Sequence, residues 1–141
     1  MKVKRLHKEA NLPLYATDGA GCFDLFTVDS QFIAPGEAMV HGTGLAFAVP
    51  KGHVMLIFSR SGMGFKQSGR LSNCVGVIDS DYRGEVMVRI HNDSKYDPIQ
   101  TQVGDRIAQA LVLPVERIEF ELVNELDETE RGDGGLGSTG A

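Results

Sequence analysis

Helical periodicity is nearly absent from this 141-residue chain; in its place stand short apolar segments cut repeatedly by glycine and proline. That pattern leaves few architectures open. Phe32-Ile33-Ala34 runs into Pro35-Gly36, Gly44 to Val49 stops at Pro50-Lys51-Gly52, and Ile107 to Leu113 stops at Pro114. Val54-Met55-Leu56-Ile57-Phe58 is continuously apolar, as expected of a strand buried on both faces. Glu85 to His91 alternates, with Val86, Val88 and Ile90 on one side and Met87, Arg89 and His91 on the other. Ile118 to Val123 alternates in the same way and predicts a last strand ending near Val123. Only one short helix is expected, near Gly62 to Gln67. Strands at this spacing predict an all-β barrel or sandwich. Residues 1–123 read as the barrel, and 124–141 as an acidic linker and glycine-rich tail of the same single domain.

Composition bounds the function. A 42% hydrophobic content suffices for one core, and 17 glycines suit a turn-rich chain. The net charge of −5 argues against general nucleic-acid binding, so an anionic ligand must be met by a local pocket. Cys22 and Cys74 are too few for a disulfide framework and are expected to be reduced and packed, in a cytoplasmic compartment. The charged N-terminus lacks the apolar core of a secretory leader, and no apolar run approaches membrane-spanning length. His7, His41, His53 and His91 are scattered and read as structural or surface residues.

Four segments carry candidate chemistry. Ser59-Arg60-Ser61-Gly62 follows an apolar strand directly, so a guanidinium and two hydroxyls sit at a strand end. They could grip a phosphate, or form a surface arginine with a capping serine. In Gly76-Val77-Ile78-Asp79-Ser80-Asp81-Tyr82-Arg83-Gly84 a short strand leads into a tight turn. Its carboxylates could be turn chemistry, or supply a general base beside an aromatic ring. Asn73, just upstream, can both donate to and accept from a pyrimidine edge. In Gly104-Asp105-Arg106-Ile107-Ala108-Gln109, Gln109 interrupts an apolar run; buried, it must bond a backbone group or face a ligand or subunit interface. The tail from Arg131 to Ala141 holds five glycines, Ser138 and Thr139. It can be a frayed terminus, or a lid whose amides, hydroxyls and guanidinium close over a polyphosphate. A weaker segment, Ala20-Gly21-Cys22-Phe23-Asp24-Leu25, reads as a turn into a strand with one inward or rim carboxylate.

In this order, these segments resemble the five motifs of the homotrimeric dUTPases, over about Asp18 to Gly140. The resemblance implies a jelly-roll-like β-barrel, three subunits sharing three sites, and hydrolysis of dUTP to dUMP and pyrophosphate with Mg2+ on the triphosphate. Asp79 would orient and deprotonate the attacking water. Asn73 and the adjoining hairpin, including Val77 and Met87, would receive the uracil, and Tyr82 would pack on the deoxyribose and exclude a 2′-hydroxyl. Arg60, Ser61, Gly62 and Gln109 would hold the phosphates. Arg131, Leu136, Gly137 and Ser138 would close over the nucleotide, and Asp24 would support the metal through water. No nucleic-acid or membrane partner is implied. Two positions depart from the pattern: Leu136 stands where an aromatic is usual, and Cys22 where glycine is expected. Two other readings share the scaffold: a dCTP deaminase, which would release ammonia, and a nucleotide-controlled regulatory binding module.

Overall fold

The alternation at Glu85–His91 becomes the centre of the first of two four-stranded sheets. In a computed structural model that describes residues 1–135, β1 (Lys2–Arg5), β4 (Ala38–Ala48), β8 (Glu85–Asn92) and β6 (Gly69–Leu71) lie side by side in the order β1-β4-β8-β6. The second sheet has the order β2-β10-β5-β7, from β2 (Phe23–Phe26), β10 (Arg106–Pro114), β5 (His53–Phe58) and β7 (Val75–Ile78). β3 (Gln31–Ile33) and β9 (Ile99–Thr101) form a small third sheet, and every pairing is antiparallel. The fold is all-β and jelly-roll-like, with a single helix among the described residues, α1 (Ser61–Gln67). No helix there is long and apolar enough to cross a membrane.

The inward residues of both sheets make one core. Val86, Val88 and Ile90 of β8 and Leu45 and Phe47 of β4 meet Leu25 of β2, Met55 and Ile57 of β5 and Ile107 of β10. Area removed from water supplies the main favourable free energy. Buried polar side chains cross-link the layers. Asn92 is fully buried and donates to the Ile33 carbonyl at 3.0 Å and the Asp97 carbonyl at 2.9 Å, while accepting from the Ser94 amide at 2.9 Å. A bulge in β4 between Gly42 and Ala46 is clasped by two carboxylates: Gly42 N–H donates to Asp29 and Gly44 N–H to Glu85. Gly44 takes φ +65°, and a Cβ there would lie 2.8 Å from those of His7 and Ala10, so only glycine fits this bulge.

Three expectations are corrected. The strand expected over Ile118–Val123 does not form; the last strand ends at Pro114, and Ile118, Phe120 and Leu122 are 74%, 95% and 101% exposed. A strand needs a partner for its amides and carbonyls, and none borders this segment within the described chain. β5 is buried fully only at Met55 and Ile57, because one face packs on the core while the other is half covered. Cys74 is not packed: it is exposed in the turn between β6 and β7, at φ +62°. Both cysteines are free, as expected.

His41 is fully buried, with Nε2 2.9 Å from Thr101 Oγ1 and Nδ1 3.3 Å from the Met39 carbonyl. Desolvation lowers its pKa below the usual 6.5, outweighing the raising effects of the Met39 carbonyl and the Asp29 charge. Below pH 6.5 the unfolded chain therefore binds a proton that the folded chain resists, and stability falls as pH drops. Thermal melts of the native chain and a His41→Gln variant should diverge in slope below that pH, the native chain losing more. Parallel slopes would contradict this assignment.

Candidate active site

Strand register assembles the first part of the site. Gln109 of β10 stands opposite Asp24 of β2 on one side and Phe58 of β5 on the other. Three segments separated in sequence therefore share one row at one end of the second sheet. Asp24 is 7% exposed, and both carboxylate oxygens are engaged. Arg60 Nε donates to Oδ1 at 2.8 Å and Arg106 Nη1 to Oδ2 at 3.2 Å. Arg60 Nη1 also donates to the Arg106 carbonyl at 3.3 Å. The Arg60 guanidinium, about a quarter exposed, is thus fixed at the strand end rather than free in solvent. Gln109 Nε2 donates to the Ser59 carbonyl at 3.0 Å, a backbone partner that uses one of its two amide hydrogens. Ser59 Oγ accepts from Leu71 N–H at 2.9 Å, tying the same turn to β6. Beyond this anchored pair, Ser61 and Gly62 open α1 at the surface, and a Cβ on Gly62 would meet nothing within 4 Å. The backbone there is open to close approach.

The second part is the segment from Asn73 through β7 and its loop into β8. The turn after β7 is closed by Tyr82 N–H donating to the Asp79 carbonyl at 3.2 Å. Arg83 Nη1 donates to the carbonyls of Ser80 and Tyr82, both at 2.8 Å. Tyr82 folds back, and its hydroxyl donates to the Glu85 carbonyl at 2.9 Å. These bonds are made by backbone and by neighbouring side chains, so the Asp79 carboxylate stays exposed. Val77 and Met87 are 59% and 57% exposed. Asn73, Gly76 and Met87, with Ile57, Leu71 and Arg89, line a cleft of about 460 Å³ between the two sheets. The cleft is large enough for a flat heterocycle, and Asn73 brings amide donors and an acceptor to its wall.

One chain joins the cleft to the Arg60 end, through the Phe58–Val75 pair and the Ser59–Leu71 bond, but does not bring Asp79 to Arg60. Phe58 pairs with Val75, whereas Met55 pairs with Ile78. Asp79 thus leaves the sheet three rows, or about 10 Å, from the end that carries Arg60, and the two strands run onward in opposite directions. Arg131 lies apart from both in the tail and donates from Nε to the Gly134 carbonyl at 2.8 Å. Leu136, Gly137 and Ser138 lie outside the described residues.

Asp24, expected to support a metal through water, is engaged by protein groups in this chain. Two guanidinium donors occupy its oxygens, and their positive charge opposes a nearby cation. Among the described residues no group of three His, Cys, Asp or Glu could cage a metal. The chemistry present suits an ion carried on phosphate oxygens and water, which Mg2+ prefers. Sequence reasoning assigned no role to Arg106 and did not pair it with Asp24. The contact spans 82 positions, and only the β2–β10 register reveals it.

Comparison with known proteins follows this geometry. A family model described as dUTPase matches residues 8–140. The deoxyuridine 5'-triphosphate nucleotidohydrolase of Nautilia profundicola is 45% identical over 140 residues, covering 99% of this chain and 98% of its own length. That of Desulfitobacterium hafniense is 48% identical over 139 residues, covering 96% and 91%. Among solved structures, a mutant dUTPase of Staphylococcus bacteriophage 80alpha with dUpNHpp superimposes with a TM-score of 0.92 at 28% identity, covering 99% and 98% of the two chains. A mutant dUTPase from phage phi11 of S. aureus, described with a structural Mg(II) ion, gives 0.81 at 25% identity, covering 88% and 96%. The chain belongs to the dUTPase family.

Removing the carboxylate at Asp24 leaves two guanidinium groups facing each other without their counter-charge. Asp24→Ala is expected to lower unfolding free energy by about 1–3 kcal/mol, less than for a fully buried pair because both arginines reach solvent. Urea denaturation measures it; an unchanged midpoint would show that the pairing holds nothing in place.

Proposed function

We propose that this chain hydrolyses dUTP to dUMP and pyrophosphate, keeping uracil out of DNA and supplying dUMP for dTTP synthesis. The observation that carries the reading is the exposed Asp79 carboxylate, held by a closed turn on the same segment as a base-sized cleft lined by Asn73 and Met87. In the reaction a water oxygen bonds to the α-phosphorus, its proton passes to the Asp79 carboxylate, and the bond to the bridging oxygen breaks, so that pyrophosphate leaves. A general base positioned this way contributes typically 10²–10⁴-fold. The remaining work is positioning and charge neutralisation. Uracil enters the cleft against Asn73, with Val77 and Met87 at its mouth. The Tyr82 ring packs on the deoxyribose and leaves no room for a 2′-hydroxyl.

Arg60, Ser61, Gly62 and Gln109 receive the phosphates. Asp24 is a positioning residue that aims Arg60. Mg2+ would arrive on the triphosphate and neutralise part of its charge. Arg131, Leu136, Gly137 and Ser138 close over the bound nucleotide.

The enzyme acts as a homotrimer with shared sites. Two observations support this assembly. Asp79 and Arg60 occupy opposite ends of the β5–β7 pair, so a complete site needs the phosphate grip of another copy. The alternating segment Ile118–Val123 also presents an apolar face with no partner strand among the described residues, while β1 is a sheet edge. Glu119 and Glu121 of that segment complement Lys2 and Lys4 of the edge.

Asp79→Asn should bind a non-hydrolysable dUTP analogue as the native chain does, while losing at least about 10²-fold in kcat; retained turnover would remove Asp79 as the base. Arg60→Ala should be inactive for want of phosphate binding. Co-expressed in equal amounts, the two inactive chains should recover activity in about a quarter of the sites, because random trimers place an intact Asp79 beside an intact Arg60 from another copy. No recovery would rule out shared sites.

A further inference from the structure

We propose that Gly84 is the positioning residue for the Tyr82 ring, and so a determinant of deoxyribose over ribose selection at the site assigned above. The inference rests on the assignment of Tyr82 as the sugar gate. Tyr82 turns back along its own chain, and its hydroxyl is fixed on the Glu85 carbonyl at 2.9 Å. That path lays the edge of the ring directly over Gly84. A Cβ at position 84 would collide with the phenolic oxygen, and would lie 2.6 Å from Cζ and 3.0 Å from Cε2. Real Cβ atoms do not make contacts this close, and a ring anchored at its far end cannot yield without releasing the hydroxyl.

The backbone offers no competing reason for glycine. Gly84 is not among the glycines in the left-handed region, unlike Gly36, Gly44, Gly52, Gly104 and Gly132. No atom of any residue other than Tyr82 is among the three nearest to its Cβ direction. The missing side chain therefore serves the ring. Tyr82 is 41% exposed and stands outside the core cluster, so its seat on Gly84 and the hydroxyl bond to Glu85 bear directly on its orientation. A gate that discriminates one hydroxyl group must be held to a fraction of that group's size, and a displacement of about 1 Å can cost about 10²-fold in rate.

The test compares Gly84→Ala, Tyr82→Ala and the double variant for kcat/KM on dUTP and UTP, with circular dichroism and thermal melts as fold controls. Gly84→Ala should keep the fold yet lower the dUTP-to-UTP ratio about tenfold or more. In the Tyr82→Ala background the same change should do nothing further, because contacting residues that act through one another are non-additive. Ring-proton NMR gives a reading independent of substrate: Gly84→Ala should move the Tyr82 resonances and leave those of Tyr15 and Tyr96 in place. An unchanged ratio with unmoved Tyr82 resonances overturns the proposal. So does an equal loss in the Tyr82→Ala background. If Tyr82→Ala itself preserves the ratio, the gate assignment fails, whereas a collapse there with a silent Gly84→Ala removes only the role of Gly84.

Discussion

The carboxylate of Asp24 holds two guanidinium groups at one end of the second sheet, and the placement of Arg60 depends on that contact. Arg60 follows directly on a strand but has no strand partner of its own. Without Asp24 its long side chain would sample many rotamers, and any ligand contact would have to order it anew. With Oδ1 on Arg60 and Oδ2 on Arg106, the two cations are brought close without mutual repulsion dominating. The burial of Asp24 is tolerable because both oxygens have charged donors. The row Asp24–Gln109–Phe58 then turns three unconnected sequence segments into one rigid edge.

The hairpin half is built on different physics. Its turn is held by backbone carbonyls and one arginine fork, and its functional groups face outward. The arrangement keeps Asp79 exposed while the cleft beside it is lined by Ile57, Leu71 and Met87. The two halves differ in setting as well: one lies in a row across β2, β10 and β5, the other on β7 and the loop that leads into β8. Along β5 and β7, Asp79 and Arg60 lie at opposite ends, so a site that uses both, as proposed above, must draw on more than one chain.

Much of the fold was legible because burial is periodic. Val86, Val88 and Ile90 face the core as their spacing required, and α1 falls where its short window was read. The first half of β4 was not read, because His41, Gly42 and Thr43 interrupt its apolar pattern; hydrogen bonds rather than hydrophobicity hold them in place. Ile118–Val123 shows the opposite failure. Alternation says which face seeks cover, not whether the same chain supplies it. At the site, the need for Gln109 to find a partner was legible, but that partner was not. The Asp24–Arg106 contact left no local signal at all, since it arises only once β2 and β10 pair and Arg106 comes opposite Phe26, two residues along the strand from Asp24.

The central claim is a reaction, and product analysis addresses it most directly. Pyrophosphate release should be measured from dUTP with Mg2+, with dCTP, dTTP and UTP in parallel. The account requires turnover of dUTP alone, which reports the base cleft, the sugar gate and the attacked phosphorus together. Ammonia from dCTP would make the chain a deaminase, and absence of turnover on every nucleotide would leave a binding module on the same scaffold.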